Sequence, residues 1–307
     1  MTDLALILGA VVLAAAGGEA FLKSILGAAS LFRVPKLVVA SSLAAFATSG
    51  PELTVSTVAA LAGNPRIGLG DALGSNVVNI ALIFGLALLY GAVATRRQDF
   101  NRDYYLALSI PALTYLYMFD GTIGRFEALS LLVIFAVWLT WTVRSALRQR
   151  EATAPGHAAT LAPGKTLALG VVGLGALVLA GRLFVSGATG IATAFAVDPY
   201  VIGVVLVAAG TSMPELVTVI LARVRGHDDV GVGTLIGSNL FNGLAIVGIA
   251  GSIHPISAPR HEVSLTLAAG VIALLLLLPN REGQIVRTRG VLLLLLYAGF
   301  LWATLRP

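Results

Sequence analysis

Glu52 and Glu215 carry the chemistry in this sequence, because each carboxylate stands near the middle of a long apolar run beside a proline. A charge at that depth in an apolar helix costs at least about 2.5–3.5 kcal/mol and marks function by default. A proline inside a helix has no N–H and clashes with the carbonyl four residues back. Pro51 therefore frees the carbonyl of Ala47, and Pro214 that of Gly210. Thr48 and Ser49 lie at i−4 and i−3 of Glu52, and Thr211 and Ser212 repeat the spacing before Glu215. At helical spacing such residues share a face with the carboxylate. Downstream, Ser75 and Asn79 are i, i+4 neighbours, as are Ser238 and Asn242. Brought together, these residues would form one pocket of two carboxylates, six hydroxyls, two amides and the released carbonyls. With neither sulfur nor imidazole, that donor set suits hard cations such as Ca²⁺ and Na⁺.

Other chemistries find little support. His157, His227, His254 and His261 lie in or beside loops without ligand spacing. The PGKT at 163–166 imitates a phosphate loop, but Ala159 occupies the position of its first glycine and no suitable strand precedes it. No nucleophile–base pair appears, so an enzyme is not expected, nor is a cofactor. The net charge of +5 is spread over short loops rather than a basic, aromatic-interleaved stripe, which argues against nucleic acid. No cysteine is present, which removes disulfides and thiolate metal sites.

The elements that must position these residues follow from composition. Of 307 residues, 57% are hydrophobic and 11% charged, against about 25% charged in a soluble domain. The mean hydropathy of +0.92 indicates an integral membrane protein whose first partner is the lipid bilayer. Apolar segments near 4–22, 37–62, 67–94, 104–119, 126–143, 166–195, 200–222, 230–251, 263–279 and 290–305 predict ten spans. The first residues lack a positive n-region and carry Asp3, so a retained helix is expected rather than a cleaved signal. Residues 144–165 form the one polar linker of any length. Placing the N-terminus outside puts 15 of the 20 Lys and Arg residues in inner loops. The positive-inside rule then predicts both termini outside and the linker cytoplasmic, in a plasma (inner) membrane.

Residues 47–79 and 210–242 align without a gap at an offset of 163, with 13 of 33 positions identical. The expected organisation is a first repeat at 1–143, the linker at 144–165 and a second repeat at 166–307. Five helices per half place the copies in opposite senses, as in many secondary transporters. The fold class expected is an all-α integral membrane protein: ten transmembrane helices in two inverted five-helix repeats, with helices 2 and 7 broken. Gly70-xxx-Gly74 and Gly233-xxx-Gly237 are small-xxx-small pairs expected to let helices approach closely.

At TSGPEL with GSNVVN, and TSMPEL with GSNLFN, the sequence resembles the calcium/cation antiporter superfamily, most of all its sodium/calcium exchanger branch. That branch carries two inverted repeats, each with a T-S-x-P-E-L break followed by G-S-N-x-x-N or G-S-N-x-x-D. The resemblance implies that Glu52 and Glu215 are central ligands shared by Ca²⁺ and Na⁺. Thr48, Ser49, Ser75 and Asn79, with Thr211, Ser212, Ser238 and Asn242, would complete the ion sites. The carbonyls of Ala47 and Gly210 would be sodium contacts. It implies a secondary antiporter expelling Ca²⁺ against Na⁺ by alternating access; three Na⁺ per Ca²⁺ would make exchange electrogenic. Asn242 stands where potassium-dependent exchangers carry aspartate, which weighs against potassium co-transport. The alternative is a proton-coupled antiporter of Ca²⁺ or another divalent, with H⁺ as the third ion. A channel or ion-binding sensor with the same pocket is a further rival. No obligatory protein partner is evident in the sequence.

Overall fold

A computed structural model describes residues 2–63, 65–94, 97–152, 161–194, 208–258, 260–280 and 282–304. The first residues of the span expected at 200–222, up to 207, and linker residues 153–160 lie outside the described residues. The described chain is almost wholly helical. By length and composition, five of its helices could cross a membrane: Asp3–Phe32, Pro65–Leu89, Arg125–Arg148, Pro163–Leu183 and Asp228–Ile253.

The chain packs as two compact units, each drawn from both sequence halves. The first unit takes 1–48 and 140–234; the second takes 49–139 and 235–307. Sequence repeat and packing unit are therefore different divisions of this chain.

In the first unit, α1 (Thr2–Phe32) packs along α9 (Pro163–Ala194). Between them in sequence come α2 (Lys36–Val39), a π-helical stretch Ala40–Ala44 and α3 (Ala45–Thr48). Helix α1 runs ten residues past the expected end at 22. Its Glu19 and Lys23 do not stop it, since they pair at 3.2 Å across one turn. Glu19 also meets Arg225 at 2.9 Å. The helix stops at Arg33, whose φ of +56° turns the chain into the left-handed region. Val34 N then donates to Ala29 O, a capping bond at the helix C-terminus. Small residues set the α1–α9 contact: a Cβ at Gly173 would lie 2.6 Å from Phe21 N and 2.8 Å from Gly17 O. The PGKT motif opens α9, with Pro163 at its start, and is not a phosphate loop. Phe21, Leu22, Ile25, Ala40, Ala44, Leu177, Ala222 and Val230 form the apolar core of this unit, and Ala47 packs against it.

The second unit holds α4 (Gly50–Leu61), α5 (Pro65–Val77), a π-helical stretch Val78–Phe84, α6 (Gly85–Leu89) and α7 (Arg97–Tyr117). Helix α8 (Arg125–Ala152) begins in it, and the polar residues from Arg144 to Ala152 prolong that helix rather than forming a free linker. From the second sequence half come a π-helical stretch Phe241–Ile246, α13 (Val247–Ile253), α14 (Arg260–Leu276) and α15 (Arg287–Thr304). Two short antiparallel ladders tie its loops. Strand β1 (Val93–Ala94) pairs β4 (Gln284–Ile285), and β2 (Thr122–Ile123) pairs β3 (Ile256–Ser257).

The remaining elements are α10 (Ala208–Thr211) and α11 (Met213–Val224) in the first unit, and α12 (Asp228–Leu240), which the unit boundary crosses. In the turn between α11 and α12, Lys36 Nζ lies 3.3 Å from His227 Nδ1. Burial, and then the Lys36 ammonium, lower the His227 pKa. The imidazole is therefore neutral at pH 7, and its Nδ1 can accept a hydrogen bond from the lysine ammonium.

The glycine expectation needs correction. Among the described residues, a Cβ at Gly70 or Gly74 would meet no neighbouring atom. The close approach in α5 is made at Gly68, where a Cβ would lie 2.8 Å from Ser56 Cα. The pair pattern marks small residues, but it does not say which helix face another helix covers. Gly233 does pack closely, against Leu37 O and Ala40.

Candidate ion-binding site

The second unit holds one half of the candidate ligands. Ser49 has φ −80° and ψ 10°, outside the helical well, and heads α4 with Pro51 in its first turn. The proline breaks the helix there as expected, and Leu53 N donates to Ser49 O at 3.0 Å to resume it. Glu52 follows at once and is 1% exposed. The neighbouring helix is held to α4 by the glycine contact just described, and Ser56 Oγ donates to Gly68 O at 3.1 Å. That register brings Ser75 Oγ to 3.5 Å from Glu52 Oε1. Asn79 lies one turn further, where the backbone widens into the π-helical stretch.

In the same unit, Ser238 lies in the last turn of α12. Asn242 falls in the π-helical stretch that follows, which packs against α4 and α5. Ser49, Ser75, Asn79, Ser238 and Asn242 are all buried with Glu52. Isolated π turns are uncommon and occur often at functional sites. Here each places a side-chain amide in the interior.

Those amides are incompletely used. Neither Oδ1 nor Nδ2 of the fully buried Asn242 has a hydrogen-bond partner among the described residues, and Asn79 Oδ1 also lacks one. Leaving a buried polar atom unsatisfied costs about 1–3 kcal/mol. Such groups call for an unseen partner, and for amide oxygens buried in the same unit as a carboxylate a cation is a fitting one.

The first unit repeats the geometry. Ser212 has φ −84° and ψ 10°, and α11 begins beyond it with Pro214 in its first turn. Leu216 N donates to Ser212 O at 3.0 Å. Glu215 and Ser212 are each 1% exposed, while Thr211 is half-buried. The Gly210 carbonyl oxygen lies against Gly181 of α9, where a Cβ would collide with it. The same unit contains Ala47 and Thr48 on α3, which packs against α11. Thr48 is fully buried and its Oγ1 donates to Ala45 O at 3.3 Å, which leaves the hydroxyl lone pairs free to face a cation.

Three further polar residues lie outside the candidate ligands named above, although Asn76 and Asn239 fall within the GSNVVN and GSNLFN motifs. Thr218, at i+3 from Glu215, is fully buried and its Oγ1 has no partner among the described residues. Its helical spacing from Glu215 is a usable signal. Asn76 and Asn239 are repeat equivalents that bond each other, and no sequence pattern announces that contact. Asn76 Nδ2 donates to Asn239 O at 3.4 Å, and Asn239 Nδ2 to Asn76 O at 3.3 Å.

The sequence model of the family described as "Sodium/calcium exchanger protein" matches residues 2–144 and 165–306. The chain belongs to the sodium/calcium exchanger family. Individual relatives match over nearly the same extent. The inner membrane protein YrbG of Escherichia coli is 32% identical over 275 residues, covering 85% of this chain and 84% of its own. The sodium/calcium exchanger MaX1 of Methanosarcina acetivorans is 28% identical over 345 aligned residues, covering 97% of each chain. Among solved structures, the sodium-calcium exchanger NCX_Mj soaked with Na⁺ and Ca²⁺ superposes with a TM-score of 0.85. Its sequence identity is 28%, and the match covers 100% of this chain and 99% of that one. Membership of this exchanger family accounts for the all-α membrane fold and for antiport as the class of activity.

Proposed function

We propose that this family member exchanges Ca²⁺ for Na⁺ by alternating access, with Glu52 and Glu215 as the central ion ligands. Thr48, Ser49, Ser75 and Asn79, with Thr211, Ser212, Ser238 and Asn242, supply the neutral oxygens, and the Ala47 and Gly210 carbonyls contact sodium. The observation that carries the reading is the buried carboxylate of Glu52 in the same compact unit as the buried amide oxygens of Asn79 and Asn242, which have no donor among the described residues. Two carboxylates balance one Ca²⁺, and three Na⁺ in the same donors leave one positive charge, so exchange is electrogenic. No cofactor takes part.

The protein spans the membrane ten times as two inverted repeats, 1–143 and 166–307, joined by a cytoplasmic segment, 144–165. Several equivalences support the repeat. Ser49 and Ser212 share the same non-helical ψ. Gly63 and Gly226, again 163 apart, turn the chain with φ of +77° and +72°. The π-helical stretches at 78–84 and 241–246 also correspond. The inverted sense is supported by the ladders, which exchange under the repeat. In sequence, β1 and β4 adjoin Arg96, Arg97, Arg281 and Arg287, on the side predicted to be inner, whereas β2 and β3 adjoin Arg125 and Arg260 on the outer one.

Purified protein in vesicles should take up ⁴⁵Ca²⁺ when an outward sodium gradient is imposed, equally with and without K⁺. Potassium indifference follows from Asn242, whose neutral amide adds no third carboxylate. Uptake driven by a pH gradient without sodium would establish the proton-coupled alternative instead, and a strict K⁺ requirement would remove the role given to Asn242.

Sidedness can be read without background, since the chain has no cysteine. Ser257 is exposed in β3, on the side proposed to be outer, and Gly164 is exposed, with no described atom in the way of a side chain. Ser257→Cys should react with an impermeant maleimide on intact cells, and Gly164→Cys only after permeabilisation. The reverse pattern would overturn the plasma-membrane orientation with both termini outside.

A further inference from the structure

Asn76, Asn79, Asn239 and Asn242 form two repeat-related pairs within the second unit, since each member of one pair lies 163 residues from its counterpart. The geometry between them is only half symmetric. The main-chain exchange is reciprocal: each of Asn76 and Asn239 gives its amide N–H to the other's carbonyl. The side-chain exchange is not. Asn79 Nδ2 donates to Asn239 Oδ1 at 3.2 Å. The equivalent bond, from Asn242 Nδ2 to Asn76 Oδ1, is absent, and both of those atoms lack partners among the described residues.

We infer that Asn239 is a positioning residue for the ion ligand Asn79, and that the two halves of the site differ in amide freedom because only one of them is so held. This rests on the ion-binding role proposed for Asn79. The chemistry is one of orientation. An amide rotated by half a turn presents N–H instead of oxygen, and an N–H repels a cation. Asn239 cannot itself rotate, because its Nδ2 is committed to the Asn76 carbonyl, so its Oδ1 faces Asn79. It therefore accepts the Asn79 N–H and leaves Asn79 Oδ1, the atom with no donor, as the face offered to the ion. Outer partners of this kind orient direct ligands, and their loss typically costs about 10–100-fold in metal affinity. Asn242 has no such clamp among the described residues, so its amide is free to present either end.

The test is a double-mutant cycle on purified full-length protein, with Ca²⁺ binding read by calorimetry in sodium-free buffer. Asn239→Leu should weaken Ca²⁺ binding by about tenfold, the value of one lost orienting hydrogen bond. Asn239→Asp keeps an acceptor facing Asn79 Nδ2 and should recover most of that affinity, which a purely structural role would not predict. In an Asn79→Ala background Asn239→Leu should have no further effect on Ca²⁺ affinity, because the residue acts through Asn79. Asn76→Ala, whose Oδ1 holds nothing, should weaken binding less than Asn239→Leu. If the effects of Asn239→Leu and Asn79→Ala instead add, or if Asn239→Asp binds no better than Asn239→Leu, the positioning role is wrong. Should Asn239→Leu fail to fold, Asn239→Ala takes its place in the same cycle: a loss of Ca²⁺ affinity that disappears in the Asn79→Ala background supports coupling, and an equal further loss there refutes it. Wild-type protein that binds Ca²⁺ but does not exchange it for sodium would fault the transport reading alone, with the cycle still deciding the positioning.

Discussion

Glu52→Gln and Glu215→Gln each abolish sodium-driven Ca²⁺ uptake while the protein remains folded in the membrane: that is the result expected of the largest functional lesion. Glutamine keeps the shape and one oxygen of the carboxylate but removes its charge. Two unit charges about 4 Å apart interact by about 4 kcal/mol at the effective dielectric of a protein, and Ca²⁺ doubles the charge on one side. Even after the cost of dehydrating the ion, a loss of at least about a hundredfold in Ca²⁺ affinity is expected. Both side chains are 1% exposed, so solvent does not screen the missing charge. Stability should move little or upward, because a buried neutral amide is cheaper to hold than a buried carboxylate. Uptake by the two variants and by Glu282→Gln, an exposed control, would be compared at equal amounts of monodisperse protein. A Glu52→Gln or Glu215→Gln variant that exchanges at the wild-type rate would remove that residue from the site.

The second large effect is on stability. Gly173→Val should prevent α1 and α9 from packing. A Cβ there would fall 2.6 Å from Phe21 N, 2.8 Å from Gly17 O and 3.0 Å from Phe21 Cα, all backbone atoms. No rotamer change relieves such contacts, so the helices themselves must separate. Overpacking typically costs about 1–3 kcal/mol, and a backbone clash belongs at or above the upper end. Gly175 is the control two residues away: it is exposed and a Cβ there meets nothing among the described residues. Gly175→Ala should be neutral or slightly stabilising, since alanine is the better helix former. Thermal unfolding in detergent, followed by the loss of monodisperse protein, separates the two. Gly173→Val melting within about a degree of wild type, where about 3 kcal/mol predicts a shift of several degrees, would show that α1 and α9 are not held together at this glycine.

Much of the candidate site is legible in the order of the residues, for reasons that are local. A proline breaks a helix whatever surrounds it, and the breaks at Ser49 and Ser212 fall where Pro51 and Pro214 predict. A carboxylate in an apolar run needs a reason to be there, and both glutamates are buried. The ungapped repeat needs nothing beyond residue identity. Helix ends are less legible. The charges Glu19 and Lys23 suggest a boundary, but they neutralise each other and Arg225 along a helix that continues to Phe32. The polar residues after 143 likewise stay helical to Ala152, since polarity alone does not break a helix.

What only the tertiary structure decided lies in contacts between residues far apart in sequence. Gly70 and Gly74 match the spacing of a packing motif, yet the helix approaches its neighbour at Gly68, because the face that is covered depends on where Ser56 stands. The compact units mix the two sequence halves, which no repeat alignment implies. The bond from Asn79 to Asn239 spans 160 residues, and its repeat counterpart is missing. Sequence identity between the repeats makes the two asparagine pairs chemically equal. Which amide is held and which is left free is settled by hydrogen-bond geometry, and that exists only once the helices have packed.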